Sequence, residues 1–207
     1  MVTSRNITSQ DALARLINGN QRFVNDDIAI GDVSRERRLA VARAQNPFAA
    51  LIGCSDSRVG PELLFGVGLG DLFIVRSAGN NIGTYGIGSV EFAVSVLDVP
   101  LVVVLGHESC GAVQAAIDVV DNGLILSGAM AEMVQGIVPA VEKAKSTAHG
   151  SMTFLEAAAR ENVRAMANRL RYSDEPALRE PQDSGRLIVV GAYYDLETGT
   201  VDFFDQG

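Results

Sequence analysis

The chain has 207 residues, 47% of them apolar, enough for one compact domain over 1–207 with a sizeable core and no linker. A formal charge of −8 and a pI near 4.7 argue against a nucleic-acid partner, because the phosphate backbone is bound through clustered Lys and Arg. No stretch approaches the roughly 20 apolar residues of a membrane span, so no membrane partner is expected. Met1 to Asn25 lacks the basic start and apolar run of a signal peptide, so the chain reads as cytoplasmic, and Asn6-Ile7-Thr8 carries no weight as a glycosylation sequon.

Ser9 is the predicted cap of a helix running to about residue 25, with Leu13, Leu16, Ile17 and Phe23 at helical spacing, and a second helix is predicted over 34–45. These make an N-terminal helical arm, 1–47, ahead of an α/β core, 48–207. Segments 49–53, 72–76, 101–106 and 187–192 are short runs of branched apolar residues, with helical segments between the first three, as in strands buried on both faces of a parallel sheet. The helix predicted over 88–99 is apolar almost all round (Val90, Phe92, Ala93, Val94, Val96, Leu97), which implies burial on a second side by a subunit interface. Thr153 and Glu156 form a capping box for a helix to about residue 172, with Glu156 and Arg160 paired on its solvent face. The stretch 173–185, with two prolines and several charges, reads as a surface loop before a final strand pair, 187–194 and 200–204. The expected fold is a single α/β domain: a central four-stranded parallel sheet plus a C-terminal antiparallel edge strand, flanked by helices.

Both cysteines fall in one pattern: Cys54-Ser55-Asp56-Ser57-Arg58, then His107-Glu108-Ser109-Cys110. Two cysteines are too few for a disulfide framework, and reduced thiols in a cytosolic chain point to metal or catalysis. Two thiolates and an imidazole make a Cys₂His set, and three protein ligands are what a catalytic zinc uses, where a structural zinc has four. Cys54 and His107 each follow a predicted strand, and in open α/β sheets ligands bind beyond the carboxyl ends of the strands. Cys110 precedes a helix beginning at Gly111, whose N-terminus favours the thiolate.

Two thiolates cancel the formal charge of Zn²⁺ and leave a weak Lewis acid. Asp56 offers a carboxylate to orient the nucleophile, and Arg58 can fix it and lower its pKa. The set suits attack of zinc-bound hydroxide on a small electrophile. Plainer readings are a buried thiol pair, a structural zinc with Asp56 as permanent fourth ligand, and a surface Asp56–Arg58 salt bridge. Alcohol dehydrogenase chemistry also uses Cys₂His zinc, but the glycine-rich stretch 66–70 precedes a strand and so reads as a turn, not a dinucleotide loop. His149 reads as a solvated loop residue, and Tyr193 and Tyr194 as strand packing.

Cys54-x-Asp56-x-Arg58 with His107-x-x-Cys110 resembles the β-class carbonic anhydrases. The resemblance covers nearly the whole chain, including Arg76-Ser77-Ala78-Gly79-Asn80 and Gly88-Ser89-Val90-Glu91-Phe92-Ala93. It implies one Zn²⁺ per subunit on Cys54, His107 and Cys110, and a catalytic Asp56–Arg58 dyad. It also implies a closed state in which Asp56 is the fourth zinc ligand, so that activity rises with pH. Gln45, Phe73, Ala78, Phe92 and Gly111 match substrate-lining positions, Phe92 across a dimer interface. The implied activity is reversible hydration of carbon dioxide to bicarbonate and a proton, in a homodimer or homotetramer. Leu51 stands where the bicarbonate-regulated subclass carries tryptophan, and the chain has none, which with Gln45 favours the subclass without that pocket. Ala112 replaces a common second glycine after Cys110. The competing functions are hydrolysis of carbonyl sulfide or carbon disulfide on the same zinc, and a non-catalytic, zinc-stabilised module that senses bicarbonate or mediates interactions.

Overall fold

In the computed structural model, which describes residues 7–27, 31–147 and 150–207, five strands form one sheet in the order β2-β1-β3-β4-β5. They are β1 (Ala49–Cys54), β2 (Leu72–Ser77), β3 (Leu101–His107), β4 (Ile188–Tyr194) and β5 (Val201–Asp205). The first four are parallel and β5 runs antiparallel to β4, as the apolar runs imply. Every residue of β1 and β3 is buried, because helices cover both faces. Asn6 and His149 lie outside the described residues.

Alternation along the central strands builds two cores. Leu51, Val103, Leu105 and Val190 face α1 (Ser9–Val24) and α3 (Pro61–Leu64). Ile52, Val102, Val104 and Val189 face α4 (Thr84–Ser95), α8 (Phe154–Arg171) and α9 (Pro176–Asp183). A third apolar cluster joins α8 to α5 (Gly111–Asn122), α6 (Gly128–Gln135) and α7 (Val138–Lys145), and it contains both cysteines. None of the described helices is long and apolar enough to cross a membrane.

Several elements depart from the sequence expectation. Thr8, not Ser9, caps α1, its hydroxyl accepting from the Asp11 N–H. The second helix, α2 (Arg35–Val41), stops early and leaves Gln45 in an exposed segment. The stretch read as a loop over 173–185 contains α9, with Pro176 in the first turn, where its missing N–H costs nothing, and Leu178 buried in the apolar cluster shared with α4 and α8. Helices α6 and α7, not resolved in the sequence reading, bury Val134, Val138, Val141 and Ala144 at three- and four-residue steps. Arg160 does pair with Glu156, at 2.9 Å, but off the solvent face: its guanidinium lies 4.4 Å over the Tyr193 ring and also bonds Asp202. Within one chain α4 buries Val90, Ala93 and Val94 on one side only, leaving Tyr85, Phe92 and, at its C-cap, Val96 at 94%, 44% and 63% exposure.

Candidate metal centre

The strand order reverses between β1 and β3. From β1 the chain goes outward to β2, and β3 returns on the other side of β1, which opens a crevice at their carboxyl ends. Cys54 is the last residue of β1 and His107 the last of β3. Ser109 then adopts a left-handed backbone (φ 54°), a turn sharp enough to return Cys110 to the same crevice as the N-cap of α5.

The sulfurs of Cys54 and Cys110 are 4.0 Å apart, and with a nitrogen of His107 the three ligand atoms all lie within 4.8 Å of one another. Zinc–ligand bonds of about 2.0–2.3 Å at tetrahedral angles give edges of roughly 3.4–3.8 Å, so the donors need close only slightly around the ion. His107 is buried, and its Nδ1 lies 2.8 Å from the Glu108 carbonyl oxygen, which can only accept. The proton is therefore on Nδ1, and Nε2 presents a lone pair. That Nε2 is buried with no hydrogen-bond partner, a costly arrangement that a metal ion would relieve. The donor set thus fits zinc.

The thiol pair is electrostatically prepared. The Cys54 thiol is pushed well down in pKa despite its burial, chiefly because the Cys110 thiol donates to it, with further donation from the Gly79 N–H at 3.2 Å. Cys110 is correspondingly raised, since it keeps the shared proton beside a buried thiolate. A dication would replace that proton.

Asp56 sits beside this set, one carboxylate oxygen 3.9 Å from His107 Nε2. Arg58 holds it in a fork, Nε to Oδ1 at 2.9 Å and Nη2 to Oδ2 at 2.8 Å, and adds its own backbone N–H to Oδ1. These bonds hold the Asp56 carboxyl well below the usual carboxylate range. Arg58 Nη2 also reaches the Ser109 carbonyl at 3.2 Å, tying the dyad to the turn that carries Cys110.

Ala78 directly follows Ser77, which is in register with Cys54, and Gly111 directly follows Cys110, so both border the donor set. Phe73 is in register with Ala50, four residues before Ser77 and so about 13 Å down the strand. Its ring lies 6.3 Å from that of Phe92, and Gln45 leads into the opposite end of β1. These three do not join the donor set of their own chain.

Four supporting residues received no role in the sequence reading. Arg76 donates to the carbonyls of Cys54 and Asp56, clamping the turn between them. Glu108 donates its N–H to Tyr194 and accepts from the Leu196 N–H through its carboxylate, fixing the carbonyl that orients His107. Gly79 donates to Cys54, and Asn162 holds Gly79. Arg76 and Gly79 lie inside the segment shared with the resembled family, a signal that marks them without assigning a task. Nothing in the sequence points to Asn162.

Fold and donor set together define an α/β protein with a candidate Cys₂His metal centre at a topological switch point. The carbonic anhydrase family model matches residues 49–201. The carbonic anhydrase of Mycolicibacterium smegmatis is 38% identical over 187 residues, covering 90% of this chain and 89% of its own. That of Pseudomonas aeruginosa is 38% identical over 176 residues, covering 80% and 77%. Among solved structures, the β-carbonic anhydrase CcaA superposes with a TM-score of 0.70 at 27% identity, covering 91% of this chain and 93% of its own. The β-carbonic anhydrase CafA of Aspergillus fumigatus gives 0.66 at 27%, covering 95% and 90%. The chain belongs to the β-carbonic anhydrase family.

Proposed function

We propose that this chain is a zinc carbonic anhydrase that interconverts carbon dioxide and bicarbonate, with Cys54, His107 and Cys110 as the zinc ligands. One observation carries the reading: the unpartnered Nε2 of His107 and two buried sulfurs converge beside a carboxylate that Arg58 holds ionised. Bound there, zinc supplies Lewis-acid activation of water for attack on the substrate carbon.

The chain's own groups supply orientation. Both oxygens of Asp56 accept from Arg58, which leaves their remaining lone pairs directed and anionic. Because its pKa is depressed, Asp56 acts as a hydrogen-bond acceptor that aligns the nucleophile and does not itself store the proton, which passes to buffer. Ala78 and Gly111 offer a small, weakly polar wall suited to carbon dioxide. In a closed state Asp56 would turn from Arg58 and offer the metal a carboxylate oxygen, which lies 3.9 Å from His107 Nε2.

The working unit is a homodimer, which can double to a tetramer. A second copy covers Tyr85, Phe92 and Val96, and Gln45, Phe73 and Phe92 then serve the site across the interface. The absence of tryptophan and the Leu51 that stands in its place in β1 support a subclass that lacks the tryptophan pocket. A reducing cytoplasm keeps both thiols available for metal.

Stopped-flow carbon dioxide hydration on zinc-loaded protein tests this. Catalysis should scale with zinc and vanish in Cys110→Ser. A protein with one zinc per chain that hydrates no carbon dioxide even above about pH 9, where water on aqueous Zn²⁺ is already ionised, overturns the proposal. Turnover of carbonyl sulfide under those conditions would identify the other gas as substrate.

A further inference from the structure

Beside Cys54 the backbone passes through two consecutive left-handed residues, Gly79 (φ 68°) and Asn80 (φ 47°). The turn aims the Gly79 N–H at the Cys54 sulfur, 3.2 Å away, and its carbonyl at α8, where Asn162 Nδ2 donates to it at 2.8 Å. Asn162 is buried on the helix face that also buries Ala158, Ala159, Val163 and Met166. An amide there costs free energy unless it is bonded, and this one bonds a loop 83 residues away that touches a proposed ligand. The loop is tightly seated: a Cβ on Gly79 would lie 2.6 Å from Ile137 Cδ1 and 3.0 Å from Ala112 Cβ.

The two sulfurs differ in what stabilises their charge. Cys110 caps α5 and takes the field of a helix N-terminus. Cys54 ends a strand and relies on loop amides instead. Thiolates give electron density to a metal, and a hydrogen bond to sulfur draws part of it back. Two thiolates already cancel a dication's charge, so this withdrawal bears directly on how electrophilic the metal remains.

We propose that Asn162 is a positioning residue of the metal centre: by anchoring the Gly79 carbonyl it holds the Gly79 N–H on the Cys54 sulfur, and so keeps the bound metal electrophilic. The inference rests on Cys54, His107 and Cys110 being the metal donors, and does not require carbon dioxide to be the substrate.

Cobalt(II) substituted for zinc gives a sulfur-to-metal charge-transfer band that reports thiolate electron density. In metal-saturated Asn162→Leu and Asn162→Ala the band should move to lower energy, and carbon dioxide hydration per bound metal should fall about tenfold, within the range of outer-shell effects on metal sites. A role in stability alone would lower the melting temperature and leave the band in place, and an unmoved band overturns the proposal. Wild-type protein with no thiolate band overturns both the donor set and this inference. A shifted band in a protein that does not hydrate carbon dioxide upholds the inference and overturns only the activity. Should neither variant fold, wild type loaded with a spin-active cadmium isotope decides. The Gly79 amide proton should couple to the metal through sulfur, and absence of coupling overturns the proposal.

Discussion

Gly106, the residue before His107, lies where Val163 of α8 packs tightly on the sheet, and Gly106→Ala tests how rigidly that contact sets the metal site. A Cβ built there lies 2.5 Å from Val163 Cγ2, about 1 Å inside the optimal separation of two carbons. The other methyl of Val163 would lie 2.8 Å from a Cβ on Gly191 in the neighbouring strand. Val163 is fully buried between the two glycines and has nowhere to retreat. Overpacking of this kind costs about 1–3 kcal/mol, and for a domain of this size each kcal/mol lowers Tm by about 2–4 °C. Gly106→Ala should therefore melt about 2–12 °C lower at fixed protein concentration and bind zinc more weakly, because the displaced strand end carries His107. Val163→Ala alone, which deletes two buried methyls, should cost about 2 kcal/mol. In the double variant the new methyl of Gly106→Ala occupies the space that Val163→Ala vacates, so the combined loss should fall short of the sum by about 1 kcal/mol or more, with zinc affinity partly restored. Thermal or urea unfolding of the four proteins, with zinc competition against a chelator, measures this cycle. Additivity within about 0.5 kcal/mol would refute the steric account.

Three further outcomes test other parts of the structure. Arg58→Lys keeps the charge but loses the fork on Asp56, so zinc content should hold while kcat/KM for carbon dioxide falls on the order of 10²-fold; unchanged kcat/KM would show that the fork orients nothing. The folded pKa of Asp56 is depressed, so its contribution is present above the unfolded value near 3.9 and is lost only as pH falls through the lower folded value. Its carboxyl carbon in NMR should therefore still report the ionised form at about pH 4, and a midpoint at or above that pH contradicts the geometry. Val96→Glu places a charge on the exposed face of α4, and sedimentation should show loss of self-association with the monomer fold intact.

The parallel sheet was legible because β1, β3 and β4 are buried on both faces and so read as unbroken apolar runs, while the edge strand β2 is only half-buried; β1 and β3 differ from expectation by a terminal residue each. The donor set was legible for a related reason: an open α/β sheet gathers its strand ends, and both cysteines lie in the motif. What the sequence hid was decided by tertiary contacts. Two prolines and a run of charges disguised α9, whose Leu178 is paid for by burial that local composition does not show. Arg160 reads as a solvent partner of Glu156 until β4 and β5 bring Tyr193 and Phe204 beneath its guanidinium. Asn162 is one of two asparagines in a helix rich in alanine and arginine, and its task depends on a loop far away in sequence. Gln45, Phe73 and Phe92 show the converse limit: a motif match assigns them a site, but one chain's geometry does not bring them to it.

The charges at the proposed centre explain why Asp56 needs Arg58. Two thiolates and a dication sum to zero, so Asp56 alone would make the crevice anionic and oppose both the ionisation of water and the approach of bicarbonate beside it. Arg58 restores neutrality through a bidentate pair aligned with the carboxylate, at a point where Asp56 is partly screened from solvent and Arg58 reaches out to it. A neutral crevice neither repels bicarbonate as it forms nor holds it strongly once formed, as an enzyme working in both directions requires. The same balance gives the outer contacts their purpose: Gly79 and the N-terminus of α5 act on the sulfurs, and Glu108 on the imidazole, adjusting the donors without changing the net charge.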